Sequence, residues 1–263
     1  MKVNRFLFPV LITIVIVLTG ATINNTGFVK PPKGYVFIPM GMAEIGGKIR
    51  TFQAYYISET EVTNAQYWEF LTALKAQGKI QDYELAKIDS ARWTQYVPYG
   101  TSYYDKTYHL KKDYPVVNIS KEGAKLYCKW LSEKYAKNNE NVLYEFRLPT
   151  NAEWEYAARG GLKKCPYPWG GPYPYNSLGN FLAQFKAFGL DYGPMPVKTY
   201  PANDFGVYDM SGNVAEMVGD STIVRGGSWD SSDYGIQIPT CTEYLVSPTV
   251  GFRPVMTFLE KKK

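Results

Sequence analysis

The chain has 263 residues, 45% of them hydrophobic, enough for one large domain or two small ones with a sizeable core. Its formal charge of +5 sits at its ends: without Lys2, Arg5, Lys261, Lys262 and Lys263, 24 basic residues face 24 acidic ones. A near-neutral body offers no basic stripe for nucleic acid, and a single histidine, His109, excludes a catalytic histidine pair or a histidine-rich iron site.

Lys2 and Arg5 precede an apolar run from Phe6 to Leu18, and Thr19-Gly-Ala21 offers small residues for cleavage. This is the pattern of a secretory leader, and export to the periplasm or beyond is the expectation. The run is short for a spanning helix, although an uncleaved inner-membrane anchor reaching Ala21 stays open. Residues 1–21 are read as signal peptide or anchor, 22–34 as linker, 35–258 as one folded domain and 259–263 as a basic, solvated tail.

Across the chain, 23 Gly and 17 Pro predict many loops between short elements. Gly34–Gly41 alternates weakly and suits an opening strand, and Thr51–Ser58 a second. Thr63-Asn-Ala-Gln66 reads as a capping box, followed by Tyr67, Phe70, Leu71 and Leu74 on one helical face. Residues 79–113 are irregular and rich in tyrosine, including Tyr96, Tyr99, Tyr103, Tyr104 and Tyr108. They read as a surface loop whose rings cover core, or as an aromatic contact surface for a partner. His109 is read as a surface residue. Ser120 should cap a helix reaching Tyr135, with Ala124, Tyr127, Leu131 and Tyr135 buried and Cys128 beside them as a core thiol. Thr150-Asn-Ala-Glu153 is a second capping box, on a short helix that Gly160-Gly161 ends. Pro196–Tyr200, Thr222–Arg225 and Phe252–Phe258 read as later strands.

Three cysteines, Cys128, Cys165 and Cys241, leave at least one thiol unpaired or bonded to another chain. None has the Cys-x-x-Cys spacing of a structural zinc site.

The strongest pattern is a series: Glu145-Phe-Arg-Leu-Pro-Thr-Asn-Ala-Glu-Trp-Glu-Tyr-Ala-Ala-Arg-Gly-Gly161, Asp209-Met-Ser-Gly-Asn-Val-Ala-Glu216, Arg225-Gly-Gly-Ser-Trp229 and Gly251-Phe-Arg253. Ile57–Asn64, Tyr114–Asn118 and Tyr167–Gly170 add to it. Their number and order resemble the sulfatase-modifying-factor family, whose founding member is the formylglycine-generating enzyme. The resemblance implies an α+β domain with little regular secondary structure, related to the C-type lectin fold.

It also implies a departure. The enzyme oxidises a substrate cysteine with copper held by two cysteines after the Gly-Gly-Ser-aromatic step. Here those positions hold Ser231 and Ile236, and no cysteine lies between Thr222 and Thr240. A hydroxyl is a hard donor and Ile236 offers none, whereas Cu(I) selects soft sulfur. Neither copper nor iron is expected. Cys128 and Cys241 resemble structural cysteines whose partner positions hold Pro254 and Ala158, so the enzyme's two disulfides are missing. Arg225 and Arg253 are read as buried ion-pair partners. Ser228 resembles an active-site serine left without a copper complex to support.

Calcium is implied as a cofactor. One of the family's sites maps onto Asp209, Gly212 (carbonyl), Val214 (carbonyl) and Glu216, a hard oxygen set suited to Ca²⁺. The alternative is that Asp209 and Glu216 cap turns. A second site maps onto Asn180, Phe181 (carbonyl), Asp191 and Gly193 (carbonyl). Ala215 and Met217 stand where relatives carry tryptophans lining the central cleft.

The resulting expectation is an exported envelope protein with a catalytically degenerate, calcium-stabilised domain that binds an envelope protein or peptide partner. By family analogy it serves a gliding or type IX secretion-type assembly. Two alternatives stay open: an enzyme with an unrecognised site around Trp229, Ser231 and Asp233, and lectin-like ligand binding through the 230–250 loop.

Overall fold

The computed structural model describes residues 32–95, 108–137, 142–190 and 192–261. Tyr35–Ile38 (β1) pairs antiparallel with Tyr55–Ser58 (β4), and β4 pairs with Val255–Lys261 (β10). β10 also pairs with Val142–Arg147 (β5), giving a sheet of order β1-β4-β10-β5. Its strands alternate poorly in hydrophobicity because both faces meet neighbours. Ile38, Ile57 and Val255 on one side are sealed, as are Phe146 and Met256 on the other.

Between β1 and β4 the chain makes a hairpin that the sequence reading ran into its second strand. Gly41–Ile45 (β2) and Lys48–Phe52 (β3) pair around Gly46 and Gly47, both with positive φ (58° and 74°). Two left-handed residues in a two-residue loop are the geometry a tight hairpin needs. The expected Thr51–Ser58 strand is thus split, Phe52 ending β3 and Tyr55 starting β4.

Asn64–Ala76 (α1) starts at the expected capping box: Thr63 Oγ1 accepts from Gln66 N and Gln66 Oε1 from Thr63 N. Tyr67, Phe70, Leu71 and Leu74 are its buried residues, together with Asn64. The described parts of the 79–113 stretch form short helices rather than a surface loop. It carries Ile80–Ala86 (α2), Arg92–Gln95 (α3) and a 3-10 turn at Tyr108–Leu110. Tyr108 is buried, its hydroxyl donating to Pro115 O at 2.6 Å, while Tyr96, Tyr99, Tyr103 and Tyr104 lie outside the described residues. His109 is half-buried, its ring tilted against Trp68.

Lys121–Lys137 (α4) follows Ser120, whose hydroxyl accepts from Gly123 N at 2.9 Å. Ala124, Tyr127 and Cys128 are buried as expected, and Trp130 joins them. Asn151–Arg159 (α5) has the second capping box and ends at Gly160 in the left-handed conformation. Ala215–Met217 (β6), Ile223–Arg225 (β7), Cys241–Glu243 (β8) and Val250–Gly251 (β9) form a second sheet of order β8-β7-β6-β9.

Pro196–Tyr200 is a turn, not the strand the sequence suggested. Lys198 has φ 66°, its amide donates to an Asp209 carboxylate oxygen at 2.9 Å, and Thr199 Oγ1 donates to Pro196 O. A side-chain acceptor and a side-chain donor thus take up backbone groups that a ladder would have used. Among the described residues no helix is long and apolar enough to cross a membrane, and the 6–18 run lies outside them.

Candidate functional site

The glycine-rich segments bring the site together. Gly212 N donates to Gly226 O, Asn213 N to Gln184 O, and Trp229 N to Asn213 O, at 2.8–2.9 Å. Gly212 has φ 78°, and a Cβ there would lie 2.1 Å from Gln184 O, so the 209–216 loop is pressed against residue 184 by absence of a side chain.

Ser231 and Ile236 differ sharply in setting. Ser231 Oγ accepts from Ser228 N at 2.9 Å and lies 3.3 Å from Ser228 Oγ. The two hydroxyls close a local turn. Ile236 is fully buried with Tyr167, Ala183 and Phe185, so its side chain belongs to a core cluster. Trp229 is equally buried; its indole donates to Pro248 O and meets Tyr192 edge-on at 4.8 Å. Asp233 is exposed and caps the Tyr234 amide. The polar groups actually gathered beside Trp229 are ones the sequence reading missed: Asp230 Oδ1 accepts from Tyr192 OH at 2.6 Å and pairs with Lys186 Nζ at 3.3 Å. Nothing in local spacing signals that trio, which comes from three separate loops.

Beneath this surface lies a buried charged layer. Glu216 Oε1 accepts from Arg253 Nη2 at 2.6 Å, and its Oε2 from Arg253 Nε and Trp154 Nε1, both at 2.7 Å. Glu155 likewise bridges Arg159 and Arg225, and Arg225 lies over the Trp154 ring. Arg225 and Arg253 are thus the ion-pair partners the sequence indicated. Glu61, fully buried, has Oε1 accepting from Asn213 Nδ2 at 3.1 Å and Oε2 with no hydrogen-bond partner. Burial pushes its carboxyl up, the Asp209 charge adds to this, and Arg253 opposes it. Burial also raises Asp209, to about 6, against the pull of the Lys198 amide and Arg253.

These groups set the fit for calcium. Of the first implied set, Asp209 is buried with φ 57° and one oxygen on Lys198 N, and Gly212 and Val214 follow in the same buried loop. Glu216 is already saturated by three donors, two of them from a guanidinium, and a cation beside Arg253 would be repelled. Glu61, which sequence reasoning passed over inside the Ile57–Asn64 motif, lies in the same buried layer, its carboxyl within hydrogen-bonding reach of Asp209. Of the second set, Asn180 is exposed with its amide on Asn176 Oδ1, Phe181 packs on Phe185, and Gly193 O accepts from Gln184 Nε2 at 2.8 Å. Asp191 lies outside the described residues. Among the described residues, no three His, Cys, Asp or Glu side chains converge as ligands.

All three cysteines are free: Cys128 buried, Cys165 half-buried, Cys241 exposed. Ala215 and Met217, read as reshaping the cleft, are both buried.

Two four-stranded sheets and a two-stranded one, capped helices and a loop-built, ion-paired centre define an α+β domain in which loops carry the structure. Comparison with known proteins gives it a place: residues 23–258 match the sulfatase-modifying factor enzyme 1-like domain, and the chain belongs to that family. The inactive C-alpha-formylglycine-generating enzyme 2 of Bos taurus is 34% identical over 160 residues, 56% of this chain and 47% of that protein. Its Mus musculus counterpart is 36% identical over 137 residues, 47% of this chain and 40% of its own length. The chain thus spans less than half of these two relatives. The formylglycine-generating enzyme of Thermomonospora curvata is 29% identical over 251 residues, covering 77% of this chain and 73% of that one. Among solved structures, PvdO from Pseudomonas aeruginosa superposes with a TM-score of 0.61 at 23% identity, over 84% of this chain and 93% of its own. CarF gives 0.59 at 21% identity, over 84% and 97%. Both share the fold.

Proposed function

We propose that this chain is a non-catalytic member of its family: an exported, calcium-stabilised module that binds a protein or peptide partner in the cell envelope. The observation that carries the reading is the pair of positions that hold the family's copper thiolates. Ser231 spends its hydroxyl on the Ser228 amide, and Ile236 is packed in core. Neither offers a soft donor, and the Ile236 side chain is sealed from solvent. Similarity to relatives named as inactive supports the same reading.

In this reading the buried charged layer works as a foundation. The Glu216–Arg253 and Glu155–Arg159–Arg225 groups fix the loops that carry Trp229 and Asp230, and calcium, when bound near Asp209, neutralises excess carboxylate charge. The upper loops are left to recognise a partner, with Tyr234 68% exposed on the 230–240 loop.

The test uses the full chain loaded with Cu(I) against a competing chelator, and then offered a cysteine-containing peptide under air. Copper binding no tighter than to a denatured control and no aldehyde product are the expected results. Stoichiometric Cu(I) with turnover to formylglycine would overturn the reading.

A further inference from the structure

The β2–β3 hairpin forms a sheet of its own, and among the described residues neither of its edges pairs with another strand. Its two-residue loop is closed by a hydrogen-bonded pair, Ile45 and Lys48, and the ladder alternates from there. Ala43 and Gly41 therefore turn their backbone groups to β3, while the amides and carbonyls of Met42 and Glu44 face the outer edge of β2. Among the described residues no backbone hydrogen bond from outside the hairpin reaches them. Met40, Met42 and Ile49, 68–73% exposed, put apolar side chains in water around this edge. An open, apolar edge is a template for another strand.

Beside it lies a cleft of about 490 Å³, with β2 on one side and the 161–164 segment on the other. Gly41 lets the hairpin settle onto α5, since a Cβ there would collide with Tyr156 Oη. Ala43, Tyr156 and Leu162 give the cleft an apolar lining. Its rim is basic. Arg159 is spent on Glu155, which leaves Lys163 and Lys164 facing one carboxylate, Glu44. Glu44 meets Lys164 Nζ at 3.4 Å in a solvent-exposed pair of little strength. A cleft with two walls suits a single extended chain, and the 161–164 segment obstructs the hairpin of a second copy.

We propose that an extended segment of a partner protein, alternating apolar and acidic side chains, adds to β2 as a third strand. Its backbone pairs with Met42 and Glu44, its apolar side chains rest on Tyr156 and Leu162, and its carboxylates face Lys163 and Lys164. The inference rests on the partner-binding reading above and gives it a surface apart from the upper loops.

The probe is a fluorescein-labelled peptide of alternating valine and glutamate, titrated into the full chain by anisotropy, with hydrogen exchange of the Met42 and Glu44 amides as a second readout. Wild type, Met42→Pro and Lys163→Glu are compared, folding being checked by near-UV circular dichroism. Proline at position 42 deletes an outward amide without taking a bond from the hairpin. Two further probes are N-methylated on all valine or all glutamate amides, only one set of which can face β2. The parent probe should bind wild type and protect both amides, and each variant should weaken it about tenfold or more. One methylated probe should lose binding and the other keep it. Absence of binding to wild type, equal binding by both variants, or equal behaviour of the two methylated probes would overturn the proposal. Binding that Tyr234→Ala abolishes and Met42→Pro leaves intact would overturn it too, while sparing the partner-binding reading. Self-association of wild type that Met42→Pro abolishes would give the edge to a second copy, and uptake by phosphatidylglycerol vesicles in place of the probe would give it to a lipid surface; either result overturns the proposal.

Discussion

Arg253 and Glu216 meet as a two-pronged ion pair with no solvent exposure on either side, Nε to Oε2 at 2.7 Å and Nη2 to Oε1 at 2.6 Å. Removing one partner strands a buried charge, which costs about 3–5 kcal/mol. Arg253→Met should therefore lower stability by that amount in urea unfolding. Glu216→Gln/Arg253→Met should recover a large part of it, since no charge is then orphaned. A double variant as unstable as the single would show that packing around the guanidinium, rather than charge, sets the cost.

Backbone shape gives a second prediction. Gly212→Ala places a methyl 2.1 Å from Gln184 O at a left-handed φ, whereas Gly46→Ala meets nothing within 4 Å at a similar φ. The open site carries only the conformational penalty of about 1–2 kcal/mol. The crowded one adds a backbone clash and should exceed it clearly, enough to shift the denaturation midpoint by more than Gly46→Ala does. Equal midpoint shifts would mean that the 184 loop yields freely.

Glu153 carries a pH dependence. Burial raises its carboxyl, but the Arg147 guanidinium and the Thr150 amide outweigh that and hold it below the ordinary carboxylate value of 4.5. With the folded pKa below the unfolded one, the unfolded chain binds more protons, so this stabilisation is complete above about pH 4.5 and is lost as pH falls through the folded value. The stability difference between wild type and Glu153→Gln should accordingly be largest near pH 7 and shrink at pH 3. A difference independent of pH would assign the effect to the helix cap alone.

The thiols should separate by setting. Burial pushes Cys128 well above the ordinary thiol range, while Cys241 is exposed and Cys165 half-buried. A thiol-reactive disulfide reagent at neutral pH should label Cys241 and Cys165 in the native chain and reach Cys128 only after denaturation. Native labelling of Cys128 at the same rate would contradict its place in the core.

Local chemistry was readable where a few neighbouring residues decide it. Thr63–Gln66 and Thr150–Glu153 announce their helices because donor and acceptor lie three residues apart, and Gly160 announces an end for the same reason. The buried side of α4 was legible through Ala124 and Tyr127, yet Trp130 escaped because it lies beside that stripe. The hairpin around Gly46 and Gly47 was overlooked because β3 exposes Lys48, Ile49, Arg50 and Thr51 in succession and shows no alternation. The candidate site was hardest. Tyr192, Asp230 and Lys186 meet from separate loops, and Glu61 reaches Asn213 across more than half the chain, so no spacing records them.

Strand order has a consequence for how the molecule is made. β10 lies between β4 and β5, so the inner edges of two strands formed early wait for residues 255–261 before their amides and carbonyls are satisfied. Until that segment arrives, β4 has only β1 beside it, and a two-stranded ribbon is marginal in water. Sheet closure is therefore late and long-range, and such contacts form slowly. A growing chain of this design therefore carries unpaired strand edges in its first sheet until nearly all of the domain has been synthesised, and those edges must be shielded in the meantime.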